Sequence, residues 1–196
     1  MRRVVLLGSL LAALMLSACN EQVVKQAPPP PHALTASAIG NYCGMNVLEH
    51  PGPKAQIILA SRIEPVWFSS ARDALSFTML PEEPKDILAI YVSDMAKATS
   101  WDKPGAENWI EARSAFFVVG SRMKSGMGAD EAVPFSDRAA AETFAGENGG
   151  RVTTFAEVPP SYVLGAPADA TGSVEEPASR TRDPVAQSGP KTGHIH

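Results

Sequence analysis

Thiols are scarce in this chain: two cysteines, Cys19 and Cys43, stand among 196 residues. A small secreted scaffold stapled by several disulfides is excluded by that count. Long apolar runs are scarce too, because after Cys19 no stretch approaches the roughly 20 apolar residues a helix needs to span a bilayer. A positive excess is missing, with 17 Lys and Arg against 21 Asp and Glu for a formal charge of −4. That balance argues against nucleic acid and against a polybasic membrane contact. Catalytic signatures are missing as well: there is no phosphate-cradling loop and no acid pair with a recognisable acid/base role. A Cys/His nucleophile would need Cys43 and His50 brought together with an orienting Asn or Asp, and no local signature supplies it.

What is present begins with the first nineteen residues. Arg2 and Arg3 precede the apolar "VVLLGSLLAALML", and "LSAC" closes the run. This is the pattern of a bacterial lipoprotein signal, residues 1–18, cleaved before Cys19 so that the thiol takes a lipid anchor. Removing Arg2 and Arg3 takes the charge from −4 to −6. The expected location is the periplasm, with the chain tethered to a membrane; Asn20, in place of the usual Asp retention signal, favours the outer membrane. Cys43 is then the one thiol of the mature chain. An unpaired thiol in an oxidising compartment is a liability, so an intermolecular disulfide, a nucleophile or a metal ligand has to offset the risk.

Residues 19–38 hold four consecutive prolines and read as a lipidated cysteine followed by an extended polyproline spacer. Residues 165–196 are rich in Pro, Gly, Ser and Ala and read as a disordered tail. Neither flank offers the core apolar residues. Between them, "FSSARDALSF" (68–77) and "FSDRAAAETF" (135–144) echo one another from Phe to Phe. Each spacing predicts a capped amphipathic helix, with Ser69 or Ser70 and Ser136 as N-caps. A strand pattern comes after each helix, "DILAIYVSD" and "RVTTFAEV", the second after a helix end at Gly149. Before the helices lie "YCGMNV" with "AQIILA", and "WIEARSAFFVVG" with a short piece near "EAVPF". The economical reading is an α+β fold of two ββαβ units in tandem, 39–105 and 106–164.

Cys43 and Met45 flank Gly44, so a strand or a tight turn would bring both sulfurs to one side. Soft sulfur ligands select Cu(I), and a metal-bound thiolate resists oxidation. A buried core cysteine and methionine fit the same three letters. "GSRMKSGMGADE" adds Met123 and Met127 in a polar, glycine-rich loop, where Met127 has no evident packing role and offers itself as a third sulfur. His50 is a further candidate ligand or a turn residue before Pro51. His194 and His196 could hold a metal only weakly, and Asp94 with Met95 ends a strand and caps the turn after it.

Taken together, the lipobox, "YCGMNVLEHPGPKAQI", "PVWFSSARDALSF", "AIYVSDM", "FFVVGS…GMGADEAVPFSD" and "FAGENGGRVTTF" resemble the NosL family of nitrous oxide reductase accessory lipoproteins. The likeness runs from about residue 39 to residue 164, with several motifs in order. It implies a periplasmic chaperone, not an enzyme, that supplies Cu(I) to the multicopper centre of nitrous oxide reductase beside an ABC-type NosDFY complex. It implies paired ββαβ units akin to the organomercurial lyase MerB. It places the family's CxM ligands on Cys43 and Met45, and its loop methionine on Met127. An open side to such a site would let two subunits pair around copper. Two rivals stand beside this expectation: a lyase-like enzyme with Cys43 as nucleophile, and a structural docking lipoprotein.

Overall fold

Each Phe-to-Phe segment closes on itself. In the computed structural model, which describes residues 27–165, Phe68 meets Phe77 edge to face with ring centroids 5.5 Å apart. Phe135 meets Phe144 at 5.2 Å. The first pair brackets helix α1 (Ala71–Met79) and the second brackets helix α2 (Arg138–Asn148). Ser70 is the N-cap of α1, its hydroxyl accepting from the backbone N–H of Asp73. For α2 the cap is Asp137, which accepts from Ala140 N–H, and not the expected Ser136, whose hydroxyl is committed to Asp94. The lipoprotein signal, Cys19, most of the expected tail, His194 and His196 lie outside the described residues.

Strands β1 (Ala55–Leu59), β2 (Val66–Phe68), β3 (Ile87–Ser93) and β4 (Trp109–Glu111) form one antiparallel sheet in the order β2-β1-β3-β4. Strands β5 (Phe116–Val119), β6 (Val133–Phe135) and β7 (Arg151–Thr154) form a second, β6-β5-β7, also antiparallel. Along the chain each unit runs strand, strand, helix, strand, which is the expected pair of ββαβ units. A short helix α3 (Pro160–Leu164) comes last.

Three readings of the sequence are corrected. "YCGMNV" is a turn, and the strand beside β1 is Val66–Phe68, paired through Gln56 and Trp67. "WIEARSAFFVVG" is two strands: the Glu111 carboxylate accepts from Arg113 N–H at 2.8 Å and pairs with its guanidinium, curling Ala112–Ser114 into a 3₁₀ turn. Such local side-chain bonds compete with a ladder. The upstream half, β4, pairs with β3, so the first sheet reaches past residue 105. The spacer expected through residue 38 is docked from Pro29 onward. Its His32 backbone exchanges two 2.8 Å hydrogen bonds with the buried Gln56 amide, and Pro29 C=O accepts from the Tyr91 hydroxyl at 2.6 Å.

Alternation along the strands distributes the core. In β5, Phe117 and Val119 point into the main core with Ile57, Phe68, Leu75, Ile90 and Val163. Val118 and Phe116 point the other way, toward Val133, Ala141 and Phe144 beneath α2. A period of two on a strand sends neighbours to opposite faces. Because the main core takes residues from both sheets, the two units share one interior. Asp94, at the end of β3, ties them again: it accepts from Ser136 N–H at 2.9 Å and from the Ser136 hydroxyl at 2.6 Å. It also takes Ala96 N–H and the Lys97 ammonium, the local capping expected of it.

Candidate metal centre

The turn that carries Cys43 is closed by two backbone hydrogen bonds, Gly40 N–H to Met45 C=O at 2.9 Å and Gly44 N–H to Gly40 C=O at 2.8 Å. Gly44 sits at φ 66, the left-handed conformation that lets the chain reverse there. The turn is pinned to the sheet edge by Asn41 N–H donating to Trp67 C=O at 2.7 Å. Tyr42 braces it on the other side, edge-on to Phe68 and donating its hydroxyl to Glu83 at 2.9 Å. Burial and the neighbouring Glu83 push the Tyr42 phenol well above its usual range.

Within this frame the Cys43 thiol is half-buried. The Ser69 hydroxyl donates to Sγ at 3.6 Å, and Sγ packs so closely on Gly40 that a Cβ there would lie 2.5 Å from it. Met45 is 39 % exposed on the same turn.

The second sulfur loop is stiffened independently. Ser125 N–H donates to Ala129 C=O and Gly128 N–H to Ser125 C=O, both at 2.8 Å, with Lys124 paired to Asp130 at the base. Met127 stands on the tip, 53 % exposed, and Met123 lies half-buried at the loop's entry. Gly126 presses on His50, where a Cβ would come within 2.5 Å of the histidine Cβ. The Met127 loop therefore rests on the segment that continues from the Cys43 turn. His50 Nε2 is buried and without a protein partner among the described residues.

Two buried ionisable side chains, which sequence reasoning missed, border the site. Lys54 is fully buried, its ammonium donating to the carbonyls of His50 at 2.5 Å, Pro51 at 3.1 Å and Gly52 at 2.8 Å. Burial pulls its pKa down to about 8, against the opposing fields of Glu131, Asp102 and Cys43. Glu131 is fully buried at the exit of the Met127 loop, and burial pushes its carboxyl up to about 8 despite three hydrogen bonds to Oε1. Polar residue types are normally read as surface, so the letters K and E gave no signal here.

The arrangement presents one thiol, two exposed thioethers and one imidazole on two stiff loops that touch at His50. Among the described residues no three His, Cys, Asp or Glu side chains converge to hold a metal. Any metal bound here would draw on sulfur, and that donor set fits a soft ion. Asp94 is spent on the unit-to-unit tie and takes no place beside Cys43.

Comparisons with known proteins agree with the motifs. The NosL family model matches residues 31–163, a span that includes Cys43, Met45, His50, Met123 and Met127. The copper-binding lipoprotein NosL of Achromobacter cycloclastes is 48% identical over 163 residues, 83% of this chain and 82% of its own length. Its namesake from Stutzerimonas stutzeri is 35% identical over 154 residues, 77% and 79% of the two chains. The crystal structure of the copper chaperone NosL from Shewanella denitrificans superposes with a TM-score of 0.63 at 34% identity, covering 68% of this chain and 99% of that one. With the family model spanning most of the chain and both relatives well above the level of chance likeness, this protein belongs to the NosL family.

Proposed function

We propose that the protein is a lipid-anchored periplasmic copper carrier. Cys43 thiolate and Met45 thioether hold Cu(I), Met127 completes a three-sulfur site, and the ion is handed on for assembly of the copper centre of nitrous oxide reductase beside the NosDFY complex. The observation that carries this reading is the Cys43 thiol, seated against Ser69 and Gly40 on the same turn as the exposed Met45, with a second exposed methionine, Met127, on a braced loop that rests on His50. An exposed methionine held on a stiff turn gains little by burial, so its value lies in the sulfur. The relatives' names, copper-binding lipoprotein and copper chaperone, support the same reading and favour a carrier over an enzyme. The "LSAC" site supports an anchor at Cys19.

Release is a consequence of the exposure. Thioethers are weak neutral donors, and with Met45 and Met127 open to solvent an incoming ligand displaces them before the thiolate lets go. His50, with its buried and unpartnered Nε2, is the alternative third donor.

The test is a competition titration of Cu(I) against a chromogenic chelator. Cys43→Ala should abolish tight binding, and Met45→Leu, similar in volume, should weaken it without unfolding the chain. Zn(II) should bind far more weakly, since thioether is rarely among its ligands. In cells limited for copper, the Cys43 variant should leave nitrous oxide reductase exported but poor in copper. A fully metallated, active enzyme in that strain would overturn the carrier reading in favour of a docking lipoprotein.

A further inference from the structure

We infer that Glu131 is a positioning residue that sets the Met127 loop against helix α1 and, through it, against Cys43. The inference rests on the reading of Met127 as a sulfur donor.

Glu131 Oε1 accepts three hydrogen bonds: from the Ser70 hydroxyl at 3.1 Å, from Arg72 N–H at 2.9 Å and from Ala132 N–H at 2.9 Å. Ser70 and Arg72 belong to the cap and first turn of α1, about sixty residues away in sequence, where backbone N–H groups have no partner within the helix. Ser69, next to Ser70, donates to Cys43 Sγ. Glu131, four residues past Met127 along the chain, is therefore hydrogen-bonded to the α1 cap, and the cap's neighbour Ser69 is bonded to the thiol. The backbone of Glu131 is held separately, its C=O accepting from the Tyr162 hydroxyl at 2.8 Å. The loop's exit is thus fixed by Tyr162, while the direction of the loop relative to α1 is fixed by the carboxyl.

The cost of this arrangement points the same way. Burying a carboxyl is unfavourable, and Oε2 is buried with no partner among the described residues. A residue needed only to lead into β6 would be better as leucine. An acid is kept where its acceptor oxygen bridges the gap between the two units.

The experiment uses the full-length chain, with Cu(I) affinity from chelator competition and the number of sulfur neighbours from X-ray absorption of the loaded protein. Glu131→Gln keeps the acceptor oxygen and should leave affinity and sulfur count unchanged. Glu131→Leu removes it and should lower affinity by about 10–100-fold, the usual effect of losing a group that orients a metal ligand, and reduce three sulfurs to two. Adding Met127→Leu to Glu131→Leu should cost nothing more, because both changes remove one donor. If Glu131→Leu fails to fold, Glu131→Asp, one methylene too short for the gap, should show the same loss of affinity in a folded chain. The inference is overturned by wild-type affinity and three sulfurs in the Leu or Asp variant, by additive losses in the double variant, or by a Gln variant as weak as the Leu one. It is overturned too if Met127→Leu has no effect, while abolition by Cys43→Ala would leave the carrier reading standing. Wild-type affinity in Cys43→Ala would instead sink the carrier reading itself.

Discussion

Cys43 owes its position to a neighbour with no side chain. Any Cβ at residue 40 would lie 2.5 Å from Sγ, so Gly40→Ala has to push the thiol off its seat and away from the Ser69 hydroxyl. The atom that must move is the free end of a short side chain, so the effect falls on the thiol rather than on stability. The expected outcome is faster alkylation of Cys43 by iodoacetamide and weaker Cu(I) binding; an unchanged alkylation rate would show that the thiol was never confined. Glu131 makes a pH prediction. Its folded pKa, pushed up to about 8 by burial, lies above the ordinary value of 4.5 that the unfolded chain should show. Between those values the native state holds a proton that the unfolded chain has released, so its stabilising contribution is complete below about 4.5 and is lost as pH rises toward 8. Urea midpoints should fall across that window, and Glu131→Gln should flatten the curve. At this scale the sequence disclosed the sulfur candidates, because cysteine and methionine are conspicuous in a polar loop. It did not disclose Lys54, Gln56 or Glu131, whose partners are backbone groups that only the fold brings to them.

Helices and the strands after them were legible because their signals are local. Phe68 and Phe135, the serine cap of α1 and the glycine end of α2 all act within a dozen residues, and the rings they place do meet. The strands before the helices were less legible, since a β-rich composition does not say where a side chain will pull the backbone out of register. Glu111 did so in the middle of an apparent strand, and the turn around Cys43 did so with two glycines. Asp94 shows what lies between elements. Burial works to raise its pKa, but hydrogen bonds from Ser136, Lys97 and Ala96 outweigh it and hold the carboxyl below its ordinary range. Asp94→Ala would remove the acceptor of the Ser136 N–H and hydroxyl; because Ser136 is exposed and can turn to water, the cost is about 1–3 kcal/mol, 0.5–1.5 for each of the two hydrogen bonds lost. The loss should appear as one cooperative transition at lower denaturant, because both sheets feed the same core. Two separate transitions in the variant would mean that the ββαβ units are independently stable.

Over the whole molecule, the segment expected to be only a spacer supports the turn of the proposed metal site. Leu34 and Ala38 are buried with Val47, the residue where the Cys43 turn ends, and Trp67 and Trp109 pack on the same cluster. Ala38 C=O accepts from Val47 N–H at 2.9 Å, and Ala36 C=O from the Asn46 amide at 2.8 Å. The chain running in from the proposed lipid anchor therefore passes along the first sheet before it reaches the thiol, and any slack in it would be felt at Cys43. Composition hid this, because a run of prolines followed by small residues reads as extended linker whether or not a sheet is there to receive it. A protein beginning at Ala27 should melt like the full mature chain. One beginning at Ala38 loses the burial of Leu34, worth roughly 1.5–3 kcal/mol, and the two hydrogen bonds between Gln56 and His32, worth about 0.5–1.5 kcal/mol each. Thermal melting should show the drop, and the shorter protein should also bind Cu(I) more weakly, with faster alkylation of Cys43, because the turn has lost one of its two anchored ends. Equal melting temperatures for the two proteins would return residues 29–37 to the role of a passive tether.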